Sequence, residues 1–365
     1  MLKFSKGYST LIVWDGIMLV PVGLLLCIGF MGLYSTGLAG PIWSSSFFRQ
    51  LIWLTIALGV IWTLRFINPK LYTDHAYRLY GALVLLLALT YLMPAVAGGR
   101  RWLLFAGIQF QPSEFGKIIV VLALAKYLAE NQKKIDKFHF ALVPLAIASG
   151  PAILIMGQPD LGTAIIFIAT ALAMMFWAGV APLHLFIIIA PIISLITGFS
   201  FYTFSVWMLV VVLVVYFTNL SLKWGVINFT VNALFGTLAP TLWNKMQPYQ
   251  QRRILTMLDA GADPHGAGYQ VLQSRTAIGS GGVFGKGIGE GTQTHLRFLP
   301  VTDTDFIIAV IGEELGFIAI LAALILFTWL LLRLVDRAAT TQNQYASLII
   351  IGFATVFLVH IFVNM

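Results

Sequence analysis

The chain has 365 residues, of which 59% are hydrophobic and only 10% charged, with a formal net charge of +8. An ordinary globular protein carries about 25% charged residues, so there is too little polar surface here to coat a water-soluble particle. Composition excludes a soluble enzyme, a disordered protein and, despite the positive charge, a nucleic-acid reader. The single cysteine, Cys27, excludes a disulfide framework and a thiolate metal site.

The charges are spaced to leave long gaps: 16–48, 79–99, 138–159, 161–222, 224–244 and 338–365 contain no Asp, Glu, Lys or Arg. A bilayer core takes about 20 apolar residues per helix. The pattern predicts eleven spans over 10–36, 48–67, 77–97, 113–130, 138–157, 161–180, 183–200, 203–220, 224–243, 305–334 and 343–363. The expected class is therefore an all-α, polytopic transmembrane bundle with one large loop. Lys3 and Lys6 before the first apolar run resemble a signal peptide, but Asp15 and the many later spans favour an uncleaved first helix.

Lys and Arg set the orientation. Lys3, Lys6, Arg65, Lys70, Arg78, Lys126, Lys133, Lys134, Lys137, Lys223, Arg333 and Arg337 fall on one set of connections, whereas 37–47, 158–160 and 201–202 carry none. The first set is cytoplasmic, as is the N-terminus. Segments 98–112 and 244–304 then lie outside, and they hold most of the polar chemistry.

Taken in chain order, the candidate groups begin with Arg101. Next is Gln111-Pro112-Ser113-Glu114-Phe115-Gly116-Lys117, where Pro112 and Ser113 mark a helix start and Glu114 and Lys117 are i,i+3 neighbours. Ionised groups in a membrane helix are costly and usually functional, though a mutually neutralising structural pair is the plainer alternative. Gln158-Pro159-Asp160 sits at a helix junction, where Asp160 suits a cap. The glycine-rich stretch Gly279–Gly287 has the freedom to turn several N–H groups toward an anion, but it lacks the spacing of a phosphate loop. Arg252, Arg253, Arg275, Lys286 and Arg297 suit a phosphorylated substrate. Asp303 and Asp305 precede an apolar helix, as an N-cap or as a carboxylate able to act as general base. Glu313 and Glu314 lie two turns further on, and Glu313 is expected to bond within the bundle. The six histidines show no metal-site spacing.

These residues resemble the SEDS family (shape, elongation, division and sporulation). The likeness runs through Arg101-Trp102, Phe110-Gln111-Pro112-Ser113-Glu114-x-x-Lys117 and Gln158-Pro159-Asp160-Leu161-Gly162-Thr163. It continues through Asp263-Pro264-x-Gly266-x-Gly268-Tyr269-Gln270, Gln273-Ser274, Gly279-Ser280-Gly281-Gly282, Gly285-Lys286-Gly287, Gly291-Thr292-Gln293, Phe298-Leu299-Pro300 and Thr304-Asp305-Phe306. The glycine pattern favours the elongation branch over the division branch.

The resemblance implies a peptidoglycan glycosyltransferase that polymerises lipid II at the outer face of the bacterial inner membrane. Its partners would be the undecaprenyl lipid, a class B penicillin-binding protein and the elongation machinery. It puts the family's essential aspartate at Asp305, with Arg101, Glu114, Lys117, Asp160, Arg253, Gln273, Ser274 and Lys286 as substrate contacts. A divalent cation, Mg or Mn, held by Asp303 and Asp305 stays open. Two departures stand out: Asp303 replaces a usual His, and 201–243 looks like a two-span insertion. The family's last span, with Pro-Leu-Pro and Ser-Tyr-Gly-Gly motifs, has no counterpart before the sequence stops at Met365.

Two other classes remain at this stage. A lipid II flippase would gather polar residues near the bilayer midplane, often in repeated halves; here they gather at one edge. A non-catalytic cell-wall scaffold is separated only by a glycan-product assay. A conventional polyprenyl-phosphate sugar transferase ranks lower, because such enzymes usually carry acidic residues in the first external loop and 37–47 has none.

Overall fold

The computed structural model describes residues 15–37, 43, 45–95, 99–105, 108–135, 137–218, 221–246, 251–252, 255–256, 267–292 and 306–364. Among these are thirteen α-helices: α1 (Gly16–Gly37), α2 (Ser46–Leu64), α3 (Pro69–Leu89), α4 (Pro112–Glu130), α5 (Phe138–Gly157), α6 (Leu161–Trp177), α7 (Pro182–Thr197), α8 (Phe201–Phe217), α9 (Leu222–Lys245), α10 (Ala267–Gly281), α11 (Ile307–Glu314), α12 (Gly316–Thr340) and α13 (Gln344–Asn364). A short antiparallel hairpin of β1 (Leu103–Phe105) and β2 (Ile108–Phe110) pairs Leu103 with Phe110. Seven of the described helices are long and apolar enough to cross a membrane. Large apolar side chains such as Trp53, Trp62, Leu85, Ile153 and Leu332 stand exposed on them, a surface that only lipid accommodates. The chain is an all-α, polytopic membrane protein.

The helices follow the charge gaps closely, with three differences. α3 begins at Pro69 and so takes in Lys70, Asp74 and Arg78, which the charge pattern put in a loop. The expected span 305–334 is two helices, because Gly316 adopts a φ of +82° between α11 and α12. Segment 244–304, expected as a loop, contains helix α10.

The chain forms two compact units. One comprises residues 1–79, 264–342 and 356–365. In it α1 packs on α11 and α12, and α10 packs on α11. Gly32 of α1 meets Ile307 and Ile311, and Ala277 and Ala309 form a buried seam between α10 and α11. The other comprises residues 80–263 and 343–355. Its core is the α4–α5–α6 set, with Val121, Leu124, Leu128, Ala148, Ile155, Phe167 and Met174 buried. Gly352 of α13 fits against Val121 and Met174, and α7, α8 and α9 pack on one another.

A break inside an apolar helix strands carbonyls on one side and N–H groups on the other. Here the turn 282–287 takes up both sets. Lys286 N and Gly287 N donate to the Glu313 and Glu314 carbonyls, each at 3.0 Å. On the other side, Phe317 N donates to Gly282 O at 3.0 Å and Ile318 N to Val283 O at 3.2 Å. Gly285, at φ +80°, lies so close to the Glu314 carbonyl and Gly316 N that no side chain fits. Gly281, at the end of α10, sits equally close to the Gly312 carbonyl.

At the α1 entrance, Asp15 Oδ2 accepts from Arg337 Nε at 2.6 Å and from Arg333 Nε at 3.0 Å. The Arg337 bond, then the Arg333 bond, hold the Asp15 carboxyl down to about 2. A carboxyl with a lowered folded-state pKa stabilises the fold above its unfolded value and loses that contribution on acidification. Thermal unfolding in detergent is therefore expected to show a loss of stability between about pH 4 and pH 2 that Asp15→Asn removes. Gly281→Ala, which drives a methyl into the Gly312 carbonyl, is expected to cost about 2 kcal/mol or more in the same measurement.

Candidate functional site

The sequence-predicted residues fall into two polar clusters, one in each unit. In the second unit, Pro112 opens α4 at its first turn, and Glu114 and Lys117 come onto one face. Lys117 Nζ donates to both Glu114 carboxylate oxygens, at 2.8 and 2.9 Å. The lysine side chain is buried and the glutamate half exposed. An ammonium buried in an apolar helix needs a counter-charge within reach, and the i,i+3 spacing supplies it.

Arg101 lies at the α5–α6 junction. Its Nε donates to Gln158 O at 3.0 Å, its Nη2 to Pro159 O, and its Nη1 lies 3.9 Å from Asp160 Oδ2. Asp160 caps α6 by accepting from Thr163 N at 3.2 Å, as the junction motif predicts. Gln158, 1% exposed, donates to Leu87 O and to Thr90 Oγ1. The motif is thus a built corner: a buried amide anchors it to α3, and a guanidinium holds its carbonyls. Two of the five Arg101 N–H groups are spent on those carbonyls.

In the first unit, Lys286 Nζ donates to Ser280 Oγ, Thr292 Oγ1 and Glu313 Oε1, each at 2.8 Å. An ammonium has three N–H donors, and all three meet protein acceptors. Thr292 Oγ1 also donates to Glu313 Oε1 at 3.0 Å. Glu313 is 0% exposed and Glu314 2%, and Glu314 Oε1 accepts from Ser35 Oγ of α1 at 2.5 Å. Lys286, a candidate substrate contact in the sequence, neutralises a buried carboxylate in this structure. The turn's Lys286 and Gly287 N–H groups go to the carbonyls ending α11. Ser280 and Thr292 stand in the quoted motifs without an assigned role, and Ser35 was not singled out in the sequence. The signal available was the pair Glu313-Glu314 in an apolar segment, which demands partners.

Gln273 and Ser274 are half-buried on α10. Arg253, Asp303 and Asp305 lie outside the described residues, as do Asp259, Asp263 and Arg297. Among the described residues no group of three or more His, Cys, Asp or Glu side chains is placed to hold a metal, and the candidate ligands Asp303 and Asp305 are not among them.

Two residues past Asp305, Ile307 opens α11. Ile307 and Ile311 line an apolar cavity of about 340 Å³ together with Leu25, Ile28, Phe327 and Phe357. Its walls contain no Asp, Glu, Lys or Arg, which suits a hydrocarbon chain.

With this geometry in place, comparison with known proteins decides the lineage. The model of the FtsW, RodA and SpoVE family, described as cell cycle proteins, matches residues 9–208 and 191–365. The chain belongs to this family. The Escherichia coli peptidoglycan glycosyltransferase MrdB is 32% identical over 96% of this chain and 84% of its own length. The Treponema pallidum peptidoglycan glycosyltransferase RodA is 29% identical over 96% and 88%. Bacillus subtilis stage V sporulation protein E is 31% identical over 96% and 86%. Among solved structures, one described as a peptidoglycan synthase complex that coordinates polymerisation and crosslinking aligns at a TM-score of 0.70, with 25% identity over 97% of this chain and 87% of its own. The Thermus thermophilus rod shape determining protein RodA shares the fold, at a TM-score of 0.59 and 23% identity over 97% and 84%.

Breaking the Lys286–Glu313 pair leaves a buried carboxylate without its counter-charge, which costs about 3–5 kcal/mol in comparable cases. Lys286→Met is expected to lower the unfolding temperature strongly, and Lys286→Met combined with Glu313→Gln to recover most of it. A double-mutant cycle by thermal unfolding reads that coupling.

Proposed function

We propose that Asp305 is the general base of lipid II polymerisation at the outer face of the membrane. The chain is a peptidoglycan glycosyltransferase acting in cell elongation, the activity and role its relatives' names carry. In the proposed step, Asp305 takes the proton from the 4-hydroxyl of the acceptor sugar as that oxygen attacks the anomeric carbon of the donor. The bond to the undecaprenyl pyrophosphate breaks and the pyrophosphate leaves with the electron pair. An α-linked donor and a β-1,4 product imply one inverting displacement, with no covalent enzyme intermediate.

The observation that carries this reading is the placement of the apolar cavity. It begins at Ile307, two residues past Asp305, on the helix whose far end Lys286 and the glycine turn hold in place. An acidic residue shortly before a fixed helix in sequence, with an apolar cavity starting on that helix, suits a reacting sugar on a lipid anchor. The leaving pyrophosphate gathers negative charge, which Arg101, Lys117 and Arg253 are suited to stabilise. Glu114 orients Lys117. Asp160 steadies Arg101, and Gln273 and Ser274 are candidate sugar contacts. Asp303, two residues before Asp305, adds a second acidic group to the motif. A divalent cation bound by Asp303 and Asp305 would add charge neutralisation for the pyrophosphate.

The concentration of Lys and Arg on one set of connections supports a cytoplasmic N-terminus, with the chemistry outside. A class B penicillin-binding protein is the partner that fits, since a similar structure is described as coordinating polymerisation and crosslinking.

Purified protein given labelled lipid II is expected to form glycan polymer, and Asp305→Ala to reduce the rate at least about a hundredfold. Polymerisation by Asp305→Ala at the wild-type rate would remove Asp305 as base. Transbilayer movement of lipid II with no polymer formed would point to the flippase reading instead.

A further inference from the structure

A second polar feature lies away from all of these residues, where α7, α8 and α9 meet. Four side chains form a chain of hydrogen bonds. Trp207 Nε1 donates to Ser194 Oγ at 2.8 Å. Ser194 Oγ donates to Asn232 Oδ1 at 2.6 Å. Asn232 Nδ2 donates to Asn228 Oδ1 at 2.6 Å and to Asn228 O at 2.9 Å.

The direction of this chain is forced. Indole N–H is a donor only, so Ser194 accepts from Trp207, and the Asn228 carbonyl is an acceptor only, so the Asn232 atom facing it is nitrogen. The atom of Asn232 facing Ser194 is therefore its oxygen, and the atom facing Asn228 its nitrogen. Asn228 must then present its own oxygen to Asn232, which turns its NH₂ outward from the chain. That nitrogen is buried and has no hydrogen-bond partner, on a residue only 4% exposed. An unmet buried amide donor costs about 1–3 kcal/mol, and a lipid environment offers no water to meet it.

Asn228 and Asn232 are the polar residues lining an otherwise apolar cavity of about 330 Å³ between α5, α7 and α9. Phe138 and Trp224 close one end, their ring centroids 5.9 Å apart. The residues just before them, Lys137 and Lys223, are both exposed. His184, whose ring meets Phe138 edge-on at 5.4 Å, adds a second buried nitrogen without a partner, Nδ1.

We propose that this cavity is a binding site for an anionic phospholipid. An acyl chain fills the apolar part, an ester carbonyl accepts from Asn228 Nδ2, and the phosphate lies toward Lys137 and Lys223. A donor at the end of the relay calls for an acceptor, and two exposed lysines next in sequence to the lining residues Phe138 and Trp224 call for negative charge. A helix from another protein is a poorer occupant. One helical turn about 10 Å across and 5.4 Å long fills roughly 420 Å³, more than the cavity holds.

The test compares full-length protein reconstituted in phosphatidylglycerol and in phosphatidylcholine nanodiscs, then released for native mass spectrometry. Wild type is expected to retain phosphatidylglycerol, and Asn228→Leu to retain about tenfold less. Lys137→Gln with Lys223→Gln is expected to lower phosphatidylglycerol retention to the phosphatidylcholine level.

Equal phosphatidylglycerol retention by Asn228→Leu and wild type would overturn the proposal. So would unchanged phosphatidylglycerol retention by Lys137→Gln with Lys223→Gln. Unchanged lipid retention, with loss of a co-purifying membrane protein, would make the occupant a partner helix.

Discussion

The first unit depends on one requirement: backbone groups freed by breaking a helix in an apolar setting must find partners. Gly316 turns the chain out of the right-handed region, and the carbonyls ending α11 and the N–H groups opening α12 lose their helical partners. The turn 282–287 is a matching set of donors and acceptors, and it serves both sides of the break. This explains why glycine sits where it does. Gly281, Gly285 and Gly316 are points where two backbones touch, and only residues without a Cβ allow that approach. The buried ion pair follows from the same arrangement. Having drawn the turn onto α11, the fold places Lys286 over Glu313, and the lysine takes Thr292 and Ser280 as its remaining acceptors.

The second unit solves a similar problem with side chains. Arg101 and Gln158 hold the α5–α6 junction through main-chain carbonyls, while Lys117 is neutralised from within its own helix. Scarce charge is thus spent in two ways. Some groups, such as Lys286 and Glu313, are consumed by the architecture. Others, such as half-exposed Glu114, keep a face toward solvent. Separating the two kinds makes the assignment of phosphate-handling residues more selective than a count of basic residues allows.

Much of this was legible in the sequence, because the signals involved are local. Nine of the eleven expected spans correspond to single helices within several residues, and the Glu114–Lys117 pair and the Asp160 cap follow from spacings of three. What escaped was non-local. Hydropathy averaged over twenty residues does not register one left-handed residue, so the break at Gly316 vanished into a continuous apolar run. Lys286 and Glu313 are 27 positions apart, and no periodicity joins them. With its partner unseen, the lysine in a glycine-rich stretch looked like an anion ligand. The early start of α3 was missed for the opposite reason: Lys70, Asp74 and Arg78 imitate a loop, although a helix can carry such residues beyond the bilayer.

The brace between the glycine turn and the broken helix is made of main-chain atoms, and main-chain atoms do not read side-chain identity. Val283 and Phe284 lie in its middle, yet their side chains project outward and are exposed. Selection acting through this brace would tolerate almost any residue at those two positions and almost none but glycine at Gly285 and Gly316. A saturation library across 281–287 would therefore show a comb, intolerant and permissive positions side by side, rather than a uniformly constrained motif.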